Sequence, residues 1–449
     1  MRTSVRPPAL TLGAIAIAAA CHSAPPPPPP VIAPLSDSAS AALQWVQANA
    51  VPIAVGDSSA PGADAARLAA LAGDARIIGI SELTEGTHQF PSVVQRALFA
   101  LADADGIRGV AVQVPMAEAM EVDRFVRTGN GDPKRLLHAL GSWRWETPEM
   151  LALVESLRDR NRGRSAERQI GFYGFEIPTA AHAVAVVNSL PDSIAGAPLK
   201  AWFRREYGCV LSDEAARFGR EGRASDSAFW RRCGTVATAA VDSIVALRAR
   251  VGAVRSAQIA FVEEMARLVQ HHVMTGLQYL TRQDANAEHV LYLANSLGPD
   301  AKLLVWGGDV EMGRLALDSA TVQTGLSLGK KLGEKYRAIA FLVGDGTLRA
   351  RPGAFGRNGQ PTDPTTVTLA PPRPGTFEEV FSRVSLGAYF VDMRSLPADV
   401  AGAWLRGPRP ARLISEVYAA PAAQLFQTPL EFPKFFDAVA FVRHVTAVR

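Results

Sequence analysis

Short apolar runs alternate along most of the chain with longer stretches of helical spacing. The runs Arg76–Ile80, Gly109–Val114, Gln169–Phe175, Lys302–Trp306, Ala338–Val343 and Ala438–Val442 contain few polar positions, as strands buried on both faces do. Between them apolar residues recur three and four apart, as at Val93, Val94, Ala97, Leu98 and Leu101, which predicts amphipathic helices. Strand and helix in alternation predict an α/β protein with a largely parallel central sheet flanked by helices. Over about 190–295 the strand signals nearly vanish. Long amphipathic runs, clearest at Phe229–Leu247 and Ala257–Leu280, predict an inserted all-helical subdomain, with a cleft between the two parts as the natural ligand site. The folded domain is expected over 38–449, opening on a helix through Ala41–Trp45. Segment 351–375, rich in Pro, Gly and Thr, reads as a long surface loop.

Composition changes this picture only at the N-terminus. The 449 residues are 48% hydrophobic and 20% charged, an ordinary globular balance. The net charge of +4 is small, and no basic run with interleaved aromatics marks a nucleic-acid partner. Arg2 and Arg6 precede an apolar stretch, Ala9–Ala20, that is too short to span a bilayer comfortably. It ends in Ala18-Ala19-Ala20-Cys21, the layout of a bacterial lipoprotein signal: residues 1–20 as leader, Cys21 as the lipidated residue. An ordinary secretory signal cleaved near the same place is the alternative. Residues 21–37 then form a linker, in which Pro25–Pro30 predicts a stiff polyproline II spacer. The expectation is an exported chain, held through an N-terminal lipid anchor to the outer membrane or cell envelope and facing the periplasm or exterior. In such an oxidising compartment Cys209 and Cys233 could pair, and the sequence leaves that bridge open.

Candidate chemistry gathers behind the first strand, in Gly79-Ile-Ser-Glu-Leu-Thr-Glu-Gly-Thr-His-Gln-Phe90. A strand–loop–helix unit places such a loop at the carboxyl end of a sheet, where α/β proteins build their sites. Glu82 and Glu85 lie three apart on it, and Asp309 and Glu311 follow a later strand. Four converging carboxylates raise one another's pKa, so that one holds a proton at pH 7 while another acts as base. The other use of such a cluster is to hold a divalent cation through oxygen ligands, with His88 as a nitrogen ligand. Each residue also has a structural reading: Glu82 bonded to loop amides, Glu85 on a solvated loop, His88 as a loop cap, Asp309 and Glu311 simply solvated. Trp143 and Trp145 read as packing residues ahead of ligand-stacking ones. His271 and His272 point about 100° apart on a helix, so one is expected in the core and the other exposed. No Gly-x-Ser-x-Gly elbow or His-Glu-x-x-His helix is present.

Six further pieces resemble the erythromycin esterase family over roughly residues 40–447: Asp123–Gly129, Trp145–Glu149 with Leu157–Asn161, Gly171–Glu176, Arg282–His289, Trp306–Glu311 and Phe435–Phe441. The glutamate-bearing loop resembles that family's Gly-Glu-Ala-Thr-His-Gly. The resemblance implies a deep cleft and hydrolysis of a small-molecule ester or lactone, best known for macrolide antibiotics. A His would be the proposed general base, with acidic residues, an Arg and a second His orienting the reactants. Carried over by position, the base falls at Glu85, the acid ending the second strand at Gln113, the Arg at Val94, and the two later histidines at Gly308 and Glu311, while Glu82 is unchanged. The candidate catalytic residues are therefore Glu82, Glu85 and Glu311, with His88, Gln113, Glu176 and Asp309 as candidate substrate contacts. Loss of every imidazole in the pattern removes the usual neutral-pH proton acceptors. Two function classes follow: a hydrolase whose activity on macrolides is altered or lost, and a non-catalytic small-molecule-binding envelope lipoprotein on the same scaffold.

Overall fold

The computed structural model describes residues 33–55, 65–104, 106–177, 179–211, 227–317, 322–353 and 362–449. The leader, Cys21 and the proline run lie outside them. Twelve strands are described: β1 (Val51–Pro52), β2 (Ile77–Glu82), β3 (Ile107–Pro115), β4 (Gly171–Glu176), β5 (Lys302–Gly308), β6 (Tyr336–Pro352), β7 (Thr365–Leu369), β8 (Ala388–Asp392), β9 (Arg409–Arg412), β10 (Val417–Tyr418), β11 (Gln427–Leu430) and β12 (Ala438–Val445). The main sheet runs β1-β8-β12-β6-β2-β5-β3-β4. From β12 to β4 every pairing is parallel, and β8 and β1 close the other edge antiparallel. All six strands expected from apolar runs are present as β2, β3, β4, β5, β6 and β12.

Successive residues of the central strands face opposite sides, and both faces are covered. Ile77, Leu303, Val305 and Ala338 face one apolar cluster, while Ile78, Leu304, Trp306 and Ile339 face the other. Double-sided burial is why these strands read as continuous apolar runs. Helices Ala65–Ala72, Gln89–Ala104 and Pro148–Asn161 cover one face. Among the described residues between β4 and β5 there is no strand, and helices Ala181–Asn188, Ala197–Glu206, Ser227–Arg248, Ala253–Gly276 and Arg282–Ser296 pack into the other face's cluster. The expected helical run is thus continuous with the core of the sheet. Cys209 and Cys233 are disulfide-bonded, tying a single turn to helix Ser227–Arg248.

Two expectations need correction. Segment 351–375 is not all loop: β7 pairs antiparallel with Gly346–Ala350 of β6. The alternation of β-branched side chains in Thr365-Thr-Val-Thr-Leu369 favours a strand over the turn tendency of the surrounding prolines. The His271–His272 reading also changes. His272 is buried as expected of one partner, but His271 is half-buried, its Nδ1 3.3 Å from His289 Nε2, and His289 Nδ1 lies 2.6 Å from Glu264.

Strand order places the site. From β2 the chain crosses to β3 and β4, returns to β5 between β2 and β3, then passes to β6 on the other side of β2. Such a reversal opens a crevice at the carboxyl ends of the strands. Glu82, the last residue of β2, stands in register with Gly308, the last of β5.

Candidate active site

The loop after β2 is held by its own backbone. Leu83 N–H donates to Phe341, Glu85 N–H to Ile414 and His88 N–H to Thr446, while Gly86 C=O accepts from Arg349 and Val448. Gly86 has φ +81°, and a Cβ there would lie 2.2 Å from Arg349 O, so only glycine fits. The facing turn after β5 is pinned likewise: Ser81 Oγ accepts from Met312 N at 3.0 Å, and Asp309 takes the left-handed φ of +49°. A non-glycine residue held there is a strained position of the kind that sites retain.

Glu82 and Glu85 are almost wholly buried, at 4% and 2% exposure. Both face Arg144, whose Nη1 lies 3.1 Å from Glu85 Oε2 and whose Nη2 lies 3.9 Å from Glu82 Oε2. The space for Glu85 exists because residue 308 lacks a side chain: a Cβ on Gly308 would sit 1.8 Å from Glu85 Oε1. Behind Glu82 stand Trp306, Trp145 and Phe90 in edge-on contact. Burial pushes Glu82 up to about 8, against the pull of Arg144. Burial likewise raises Glu85 to about 7, again opposed by Arg144 and assisted by the charge of Asp309.

A second group adjoins the first. Gln113 accepts from Gly308 N–H at 2.8 Å and donates to Glu176 at 3.0 Å. Glu176 pairs with Arg282, and Glu311 accepts from the Thr324 hydroxyl. Burial raises Glu311 to about 7 and raises Asp309 as well. The four acids form a row: Glu82 feels the charge of Glu85, Glu85 that of Asp309, and Glu311 that of Asp309 and Glu176, with Gln113 joining Gly308 to Glu176. His88 does not join them: its Nδ1 lies 2.6 Å from Glu149 Oε1, an acceptor 61 positions away. The cation reading with a His88 ligand loses that ligand, and among the described residues no group of three or more His, Cys, Asp or Glu is arranged to hold a metal.

Several polar atoms around these loops are buried without a hydrogen-bond partner: Thr84 Oγ1, Thr87 Oγ1, Trp143 Nε1 and Asp309 Oδ1. Buried polar groups are normally satisfied, so such a concentration marks a place where water or a ligand belongs. A chamber of about 20 Å³ opens beside Glu82, walled by Trp143, Arg144, Trp145, Trp306 and Val448. That is room for about one water. Trp145 is a packing residue, 3% exposed. Trp143 lines the chamber beneath the Arg349 guanidinium.

Sequence reasoning missed Arg144 and Thr324, and met Arg282 only as part of a resemblance. Arg144 carried one signal, a cation between two tryptophans near no acidic residue of its own turn except Glu146. Its partners lie about sixty positions upstream, beyond any local pattern.

A largely parallel sheet with helices on both faces, its topological switch lined by buried acids, defines an α/β protein with an acidic cluster at the carboxyl ends of β2 and β5. A profile described as erythromycin esterase matches residues 103–445, and the chain belongs to the erythromycin esterase family. The match begins beyond the Glu82–His88 loop, so that loop joins the site through the pairing of β2 with β5. Solved structures share the fold. A Bacillus cereus protein superposes with TM-score 0.77 at 19% identity, covering 92% of this chain and 99% of its own. A succinoglycan biosynthesis protein gives 0.76 at 16%, covering 91% and 98%. A mutant of the erythromycin esterase EreC, in its open conformation, gives 0.63 at 13%, covering 86% and 94%.

Proposed function

We propose that this chain hydrolyses a small carboxylic ester or lactone with carboxylates in place of imidazole. The observation that carries the reading is the pair of buried acids at the strand ends, Glu85 set against Arg144 and Asp309 with its Oδ1 buried and unpartnered. Water held there passes a proton to Glu85 as its oxygen bonds to the ester carbonyl carbon. Arg144 faces the negative charge that develops on the carbonyl oxygen. The tetrahedral intermediate then expels the alkoxide, which takes a proton from Glu82, still protonated at neutral pH. The chamber beside Glu82 has room for the attacking water alone, so an ester would have to approach it from outside, and bulky macrolide lactones are expected to turn over poorly or not at all.

The test is turnover on a panel of simple esters, lactones and a macrolide, read by mass. Activity should rise as Glu85 ionises near pH 7 and fall as Glu82 loses its proton near pH 8. Glu85→Gln should lower kcat by about 10²–10⁴-fold with the fold intact. Unchanged kcat in that variant would remove the mechanism. A folded protein that turns over none of the panel would favour the second reading, binding without chemistry. What supports that alternative is Arg144, which already lies against both carboxylates.

We further propose that the chain acts at the cell envelope, anchored through lipid on Cys21. Bacteria expressing it and fed an alkyne-tagged fatty acid should label the wild-type chain and not Cys21→Ser. Equal labelling of the two would end the proposal.

A further inference from the structure

A cavity of about 410 Å³ lies along the β4 edge of the sheet, lined from helices Met116–Thr128, Ala253–Gly276 and Arg282–Ser296. None of its lining residues belongs to the carboxylate site. Its back wall depends on glycine. A Cβ on Gly109 would lie 2.6 Å from the Tyr173 ring, and one on Gly171 would lie 2.1 Å from the Tyr173 hydroxyl. Tyr173 therefore lies flat across β3 and β4 instead of standing into the space above them. Gly174 brings the edge strand against the end of β3, where a Cβ would meet Val114 O at 2.6 Å.

The two ends of the cavity differ. Met116, Gly174 and Leu293 are buried at the inner end, with Met120 and Phe261 on the walls. Arg124, Thr128 and Ser296 are exposed and form the mouth. Arg127 is fixed near it by Asp123 (2.8 Å from Nε) and by Tyr173 (2.6 Å from Nη2). Asp123 is committed on both oxygens, since its other oxygen accepts from Phe172 N–H of the edge strand at 3.0 Å. Arg124 rests on Glu121 in an exposed ion pair of the kind that exchanges at little cost. What remains to a ligand at the mouth is donors with positive charge, above an apolar interior of the volume usual for small-molecule sites.

We propose that this cavity binds an amphipathic anion, a carboxylate head at Arg124 and Arg127 with an aliphatic body of about eight to twelve carbons pointing toward Met116 and Leu293. The site is independent of the hydrolase reading.

Decanoate, decanol and decyltrimethylammonium, each below its micellar concentration, titrated calorimetrically into the full chain provide the test. Decanoate should bind one to one and at least about tenfold tighter than either other amphiphile, a difference of about 1.4 kcal/mol. Met120→Trp, which fills the cavity from its wall, should weaken decanoate at least about tenfold with an unchanged melting temperature. Arg124→Met should weaken decanoate and leave decanol unaffected. Glu85→Gln should leave decanoate binding unchanged, which separates this site from the carboxylate one. No decanoate binding, equal binding of the three amphiphiles, indifference to Met120→Trp or loss in Glu85→Gln would each overturn the proposal.

Discussion

At pH 8.5 the Glu82→Gln variant should melt well above the parent, and at pH 4 the two should melt nearly together. Glu82 is raised from 4.5 to about 8, first by burial and then by the charge of Glu85. A carboxyl whose pKa is higher folded than unfolded binds more protons in the native state between those values. Its contribution is therefore present in full below the unfolded pKa, and is lost as pH rises through 4.5 toward 8. Gln presents the same shape and an amide oxygen to Arg144, with no charge to ionise. The expected difference at pH 8.5 is on the order of 4 kcal/mol, at about 1.4 kcal/mol per pKa unit. Glu85 and Glu311 move in the same direction, so the parent should lose stability steadily from pH 5 to pH 8. Thermal melts of both proteins across that range decide the matter. An identical pH slope in parent and variant would show that Glu82 ionises freely where it stands. On the proposed mechanism the same variant also lacks the proton donor for the leaving alkoxide, so its turnover should fall while its stability at pH 8.5 rises.

Gly308→Ala should harm the site more than the fold, because what it strikes is the carboxylate of Glu85. The new Cβ would approach Glu85 Oε1 to 1.8 Å and Glu85 Cδ to 2.9 Å. Glu85 has little room to retreat, because its amide is bonded to Ile414 O at 2.8 Å and Gly86 behind it admits no other backbone shape. Overpacking of a well-ordered interior costs typically about 1–3 kcal/mol. The displaced carboxylate would also leave Arg144, so turnover should fall at least about a hundredfold. Gly308→Ala combined with Glu85→Ser should recover the melting temperature and not the activity. A single variant that melts and turns over like the parent would mean that Glu85 has another resting place. The coupling explains a feature of the sequence: Glu85 and Gly308 make one arrangement, in which the acid occupies the volume that a side chain on the neighbouring strand end would need.

The sheet was legible because its strands are buried on both sides. Ile77 and Ile78 face opposite clusters, and so do Leu303 and Leu304, so neither face supplied polar residues to interrupt the run. Short β1, β9, β10 and β11 offer two to four residues each, too few for a pattern. The loop bearing Glu82 and the turn bearing Asp309 were legible as strand-end motifs, and the parallel pairing of β2 with β5 accounts for their meeting. Side-chain partners were not legible. His88 has the position of a site residue and the partner of a structural one, Glu149, chosen by a helix that packs nearby. Arg144 belongs to a stretch without periodicity, and only the tertiary fold sets it against two acids.

The way the Glu82–His88 loop is tied has a consequence for the order in which the protein matures. Its backbone partners are Phe341, Arg349, Ile414, Thr446 and Val448, all made long after the loop itself. Contacts so distant in sequence close slowly. During synthesis the β2 strand can form early against helix Gln89–Ala104, but the loop after it has no backbone anchor until β6, Ile414 beyond β9 and the residues after β12 arrive. The backbone ties of the Glu82–His88 loop can therefore close only after nearly the whole chain has been made. A chain that stops short of its C-terminal third lacks the partners that bury Glu82 and Glu85, and those acids then keep ordinary acidity.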